Sequence, residues 1–131
     1  QPYLDGGCAD AIPWKHAFDE GCDRVVVVLT RERDYEKTPD KSLPLIRRAF
    51  RKYPRFVETM ESRAQRYNQC RRELFELERQ GRVLVIAPES TAGFSRTERD
   101  LEKVRALWQS GYFAGRSALP AVREFWFGQN S

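Results

Sequence analysis

Arg24-Val25-Val26-Val27-Val28-Leu29-Thr30 is apolar and largely β-branched at consecutive positions, so a strand formed here would be buried on both faces. A central strand of a parallel sheet, covered on each side by helices, is written this way. A second run, Val83-Leu84-Val85-Ile86-Ala87, is closed by Pro88. Helical patterns surround the two. Pro13 to Glu20 fits a short helix, with Pro13 suited to its first turn and Gly21 to its exit. Leu43 to Tyr53 reads as a helix ended by Pro54. Arg55 to Gln80 reads as one long helix, with Val57, Met60, Ala64, Tyr67, Cys70, Leu74 and Leu77 at steps of three and four, a core-facing stripe. Beyond the second strand, Thr97 to Tyr112 repeats the helical period, capped by Ser95 or Thr97, and a last helix spans about Leu119 to Phe127.

Strand alternating with helix gives the α/β class. The expected architecture is a partial parallel sheet of two to three strands flanked by helices, with a helical C-terminal region. Pro2 to Leu4 is the candidate third strand. Open α/β sheets usually carry about five or six strands, so the fold reads as incomplete. Arg33 to Ser42 is the obvious loop.

The chain has 131 residues, 40% hydrophobic and 32% charged, which suits one compact domain and excludes collagen-like and disordered classes. No apolar run approaches the roughly 18 residues of a membrane helix. The sequence begins Gln1-Pro2-Tyr3-Leu4 with no initiator Met or targeting segment, and its only Met is Met60. The expectation is a piece of a longer polypeptide or a processed chain.

Lys plus Arg is 23 against 19 Asp plus Glu, a net +4. That balance raises the standing of anionic partners without establishing one. Arg47, Arg48, Arg51, Lys52 and Arg55 form a small basic patch beside Phe50, Tyr53 and Phe56. It reads either as solvated, carboxylate-paired surface or as a site for a membrane surface or partner chain. No nucleic-acid motif is present. Cys8, Cys22 and Cys70 lack metal-ligand spacing and His16 is the only histidine, so no metal or other cofactor is expected. Free cysteines point to a cytoplasmic context, with peripheral attachment to membranes left open.

The densest chemical signal is Tyr3-Leu4-Asp5-Gly6-Gly7-Cys8-Ala9-Asp10-Ala11-Ile12-Pro13. Adjacent glycines permit positive φ and close approach of another group. An Asp at the end of a short extended segment projects from the C-terminal edge of a sheet, where α/β folds gather their ligands. Asp-Gly-Gly alone is an ordinary turn. Asp10 reads as a backbone-bonding residue that fixes the Asp5 loop at the helix entrance. His16 reads as structural or surface, and nothing near Cys8 obviously lowers its pKa.

The stretch from Tyr3 to about Pro39 resembles the patatin-like phospholipase family. The resemblance rests on Tyr3-Leu4-Asp5-Gly6-Gly7, Asp10 with Ile12-Pro13, Gly21-Cys22-Asp23-Arg24, the strand from Val25 to Leu29, and Thr30-Arg31. Val83 to Pro88 and Leu107-Trp108-Gln109-Ser110-Gly111-Tyr112 look like the C-terminal region of bacterial members. The resemblance implies a fragment of a three-layer fold, with residues 1–40 the downstream part of the catalytic domain and residues 41–131 the C-terminal helix-strand-helix region. It also implies a serine lipid acyl hydrolase working through a Ser–Asp dyad. Asp5 would be the dyad carboxylate, with Gly6 and Gly7 leaving room for the nucleophile elbow. A carboxylate can take the hydroxyl proton only if held within hydrogen-bond reach. No Gly-x-Ser-x-Gly occurs; Gly93-Phe94-Ser95-Arg96-Thr97 lacks the second glycine, and Ser95 reads as a helix-start residue. The nucleophile and the Gly-rich oxyanion segment would then lie upstream of Gln1. The partners implied are a lipid or acyl ester substrate and the missing N-terminal half. The competing expectation is a non-catalytic module for anionic surfaces or a partner chain.

Overall fold

A computed structural model describes residues 5–95 and 97–128. The candidate strand from Pro2 to Leu4 lies outside the described residues. After a single 3-10 turn, Gly6–Cys8, the order is α1 (Trp14–Asp19), β1 (Val25–Val28), α2 (Leu43–Ala49), α3 (Pro54–Glu61), α4 (Arg63–Arg79), β2 (Val83–Ile86) and α5 (Leu101–Phe127). The two strands pair in parallel, Val25 opposite Val83 through Val28 opposite Ile86. The fold is thus mixed α/β, a two-stranded parallel sheet flanked by helices.

The two valine-rich runs become strands because β-branched side chains suit a pleated, buried surface. Val27, Leu29, Val83 and Val85 point to one face, where they meet Trp14 of α1 and the fully buried Leu74 of α4. The core sits there. On the other face, Leu107, Gly111 and Ala114 of α5 line a small cavity with Val28 and Ile86, and the expected burial on both faces is corrected, since Val28 is 70% exposed. Arg24 holds the far end of α5 through the carbonyl of Phe125, with its guanidinium 5.5 Å from that ring.

Backbone groups of successive strand residues point to opposite edges. Val25 N donates to Arg82 O at 3.2 Å and Leu29 N to Ile86 O at 2.8 Å. Val25, Val27 and Leu29 therefore face β2, while Val26 and Val28 turn their N–H and C=O to an edge with no strand among the described residues. The outer edge of β2 is closed by side chains: Glu78 accepts from Val85 N at 3.1 Å, and Arg33 donates to Val85 O at 2.9 Å.

Three helix expectations are corrected. The helix expected over Leu43 to Tyr53 stops at Ala49, and Pro54 opens α3 as well as closing what precedes it, because its fixed φ suits a first turn. The single helix expected over Arg55 to Gln80 breaks at Ser62, whose hydroxyl bonds the Glu58 carbonyl at 2.8 Å and competes with the helical ladder. The stripe survives the break: Met60, Ala64 and Leu74 are buried. The two C-terminal helices are one, Leu101–Phe127, with Pro120 inside it. Asp100, not Ser95 or Thr97, caps that helix, accepting from Glu102 N at 3.0 Å and Lys103 N at 3.4 Å. No helix among the described residues is long and apolar enough to cross a membrane.

Candidate functional site

Asp5 opens the Gly6–Cys8 turn. Its Oδ1 accepts the Gly7 N–H at 2.6 Å, and its side chain is exposed. Cys8 N closes the turn on Asp5 O, and the N–H groups of Ala9 and Asp10 both reach Gly6 O at 2.9 Å. The expected positive φ is not used here; among the described residues only Gly21, Gly81 and Gly93 adopt it. Gly7 serves close approach instead, since a Cβ there would stand 2.9 Å from Asp5 Oδ1, whereas one at Gly6 would meet nothing within 4 Å. Asp10 is also corrected. It holds the loop through its own N–H, its carboxylate bonds no described backbone group, and α1 begins after Pro13 with no side-chain cap.

Two arginines of α4 hold the loop from outside. Arg63 donates from Nε to Gly7 O at 3.2 Å, and Arg66 donates to Ala9 O at 3.0 Å and Cys8 O at 3.2 Å. A second Arg66 bond, to Thr59 O at 2.9 Å, ties the same side chain to α3. The position of this loop follows from α4, which runs back along the sheet. Leaving β1, the carbonyls of Glu32 and Arg33 accept from Arg71, and Lys37 and Asn68 exchange hydrogen bonds. Arg66 and Arg63 come next toward the start of α4, so the Asp5 loop lies beyond the C-terminal ends of the strands.

Beside the loop opens a cavity of about 700 Å³, with Asp10, Lys15, Arg63, Arg66, Cys70 and Glu73 on its wall. Lys15 and Glu73 are 2.6 Å apart, and their hydrogen bond raises the lysine pKa and lowers that of the glutamate. Cys70 accepts from Trp14 Nε1 at 3.1 Å, but burial prevails and pushes its thiol pKa up. It is a packing thiol and a poor nucleophile. A second groove, about 550 Å³, runs along the edge of β1 that has no partner strand among the described residues and includes Tyr35, Arg63 and Tyr67.

Sequence reasoning missed three features of this end of the sheet. Arg63 and Arg66 are the first. The second is Arg71, only 3% exposed, lying between the Tyr67 and Phe75 rings at 5.8 and 5.3 Å with one guanidinium nitrogen unpartnered among the described residues. The third is the link between Glu32 and buried Thr91: the Thr91 hydroxyl donates at 2.5 Å to the carboxylate and accepts from Arg31 at 2.7 Å. The Thr91 bond, reinforced by backbone N–H groups, lowers the Glu32 pKa. Arg63 and Arg71 did leave a signal, since both fall in register with the apolar stripe of α4.

The other candidates lie elsewhere. In the basic patch, Arg47 pairs with Glu61; Arg48, Arg51, Lys52 and Arg55 make no ion pair with a described residue. Phe50 and Phe56 pack edge to face at 4.8 Å, and Phe50 and Tyr53 are both exposed. Ser95 is an exposed loop residue, and His16 is an exposed side chain 3.9 Å from Glu20. No group of three or more His, Cys, Asp or Glu among the described residues could hold a metal ion.

One family profile matches residues 53–127, more than half of the chain. The chain belongs to this family, DUF6363, a domain of unknown function. The DUF6363 match starts one residue before α3, ends with α5, and includes Arg63 and Arg66. The Asp5 loop and β1 precede it. No curated protein and no solved structure matches the chain.

Proposed function

We propose that this chain is the downstream part of a three-layer, patatin-like lipid acyl hydrolase, in which Asp5 is the carboxylate partner of a serine carried on a preceding segment. The observation that carries the reading is the Asp5 carboxylate: exposed, held on one oxygen by Gly7 N–H, and set on a braced loop beyond the C-terminal ends of the strands. Reactive groups gather at that end of α/β sheets. The edge of β1 that has no partner strand among the described residues leaves room for the strands such an enzyme would add. In the reaction, the serine oxygen attacks the ester carbonyl while Asp5 accepts its proton. Asp5 then returns the proton to the leaving alcohol, and water repeats the cycle on the acyl-enzyme. The setting of such an enzyme would be the cytoplasm, at the periphery of a membrane.

Ester hydrolysis by the full-length gene product, with and without Asp5→Asn, tests this. Turnover should fall to background in the variant, and the 131-residue chain alone should show no more than its Asp5→Ala control. Full activity in Asp5→Asn, or turnover by the isolated chain that vanishes in Asp5→Ala, refutes it.

A second reading, a module for anionic surfaces, is favoured by the four unpaired cations of the basic patch and by α5, which turns Trp108, Tyr112 and Trp126 to solvent. Basic and aromatic side chains together suit a lipid interface. Vesicle binding that weakens with salt and is lost on charge reversal of Arg48, Arg51 and Lys52 would support it; binding indifferent to both would exclude it.

A further inference from the structure

The Asp5 loop and the start of α4 are 56 to 58 residues apart in sequence, yet three successive loop carbonyls end on two α4 guanidinium groups. Neither arginine has a carboxylate partner among the described residues, so the charges of both are directed to carbonyl oxygens. Hydrogen bonds from a charged donor are roughly twice as strong as neutral ones. Four of them here join three pieces of chain: the loop, the Thr59 carbonyl of α3, and α4 itself.

The geometry transmits this hold to Asp5. The peptide unit between Gly7 and Cys8 has its carbonyl on Arg63, while Gly7 N–H is the donor to Asp5 Oδ1. Fixing the carbonyls of Gly7, Cys8 and Ala9 therefore fixes the turn that presents the Gly7 N–H. Without the arginines, the hydrogen bonds left to close this three-residue turn among the described residues are Gly7 N–H to Asp5 Oδ1 and the Cys8, Ala9 and Asp10 backbone bonds, and short 3-10 turns are weakly held.

We infer that the DUF6363 region acts as a brace for the Asp5 loop, with Arg63 and Arg66 as positioning residues that set the orientation of the Asp5 carboxylate. The catalytic consequence rests on the reading of Asp5 as proton acceptor; the brace itself rests on the contacts. In that reaction a misplacement of about 1 Å costs up to roughly 100-fold in rate. Neither Arg63 nor Arg66 hydrogen-bonds the Asp5 carboxylate; both hold the loop through its carbonyls.

The test uses the full-length gene product as wild type, Asp5→Asn, Arg63→Met, Arg66→Met and Arg66→Lys, and reads two signals. The first is the iodoacetamide alkylation rate of Cys8, mapped by mass spectrometry, with exposed Cys22 as reference and Cys70 as a monitor of the core. The second is the split between kcat and KM. Arg66→Met should speed Cys8 alkylation several-fold relative to Cys22 while Cys70 stays protected. It should lower kcat by about tenfold or more with KM nearly unchanged, and Arg66→Lys should recover part of the loss. Should Arg66→Met expose Cys70, Arg63→Met and Arg66→Lys carry the measurement. Cys8 alkylation and kcat at wild-type values in every arginine variant, with Asp5→Asn inactive, overturn the brace and leave the role of Asp5 standing. An active Asp5→Asn overturns the role of Asp5, and the positioning role falls with it, whatever the Cys8 rates.

Discussion

Removing the Glu78 carboxylate tests how the sheet is closed on one side. Glu78 accepts from Arg33 at 2.6 and 2.7 Å and from Val85 N at 3.1 Å, and Arg33 also reaches Val85 O at 2.9 Å. Together the two side chains meet a donor and an acceptor that a neighbouring strand would otherwise satisfy. Val85 is 5% exposed, so in Glu78→Ala its N–H loses its partner at a cost of about 1–3 kcal/mol. The ion pair adds little, about 0.5–1 kcal/mol, because the Arg33 side chain is half exposed and screened by water. The expected loss is about 1.5–4 kcal/mol in urea unfolding followed by tryptophan fluorescence. Glu78→Gln keeps an oxygen for Val85 N and should lose less than half as much. The pH dependence follows the same pair. Arg33 hydrogen bonds hold the Glu78 pKa below its ordinary value, so folding depresses it. Its stabilisation is complete above the unfolded glutamate pKa of about 4.3 and is lost as pH falls through the lower folded value. Glu78→Ala should flatten that acid limb. Equal losses for Gln and Ala, or a loss under about 0.5 kcal/mol for Ala, would refute the edge-closing role.

Other outcomes follow from single contacts. Leu74→Ala empties a fully buried leucine under both strands and should cost about 3–4 kcal/mol by the same unfolding assay. Gly7→Ala should break the Asp5 to Gly7 bond while Gly6→Ala leaves it intact, read as faster amide exchange at Gly7 to Asp10 in the first variant only. Thiol modification at neutral pH should proceed fastest at exposed Cys22 and slowest at Cys70, whose raised pKa leaves little thiolate; a Cys70 that reacts first contradicts its burial.

The strands, α1 and the core stripe of α4 were legible because each depends on local pattern: β-branched runs between punctuating residues, and apolar steps of three and four. What was not legible depends on a side chain choosing one backbone partner among several. Ser62 breaks a helix that periodicity would continue because its hydroxyl takes the Glu58 carbonyl. Ser95, Thr97 and Asp100 are all competent caps within six residues, and only the three-dimensional path selects Asp100. Gly6 and Gly7 invited a left-handed turn, yet contact with Asp5 explains Gly7 alone. The α4 cations were hardest to see, because their partners are carbonyls up to 58 residues away, and carbonyls carry no sequence signature. The register of Arg63 and Arg71 within an apolar stripe was the available clue, since a charge on a core-facing line must find acceptors there.

The two edges of the sheet differ in a way that bears on where the fold can grow. A two-stranded sheet is marginal unless packed against helices, and α1, α4 and α5 supply that cover. On the β2 side, Arg33 and Glu78 occupy the backbone groups of Val85, so a strand added there would have to displace an ion pair. On the β1 side, the N–H and C=O of Val26 and Val28 face a groove of about 550 Å³, and no described side chain occupies them. An additional strand is therefore favoured next to β1. The Asp5 loop and the start of α1 lie on that same side: Ala11, Ile12 and Trp14 line the groove, and Arg63, which holds Gly7, stands in its wall. A segment paired to β1 would run beside the loop that carries Asp5. On the proposed reading this is the geometry a serine on an adjoining strand requires, and it places the brace from α4 next to the meeting point of the two catalytic groups.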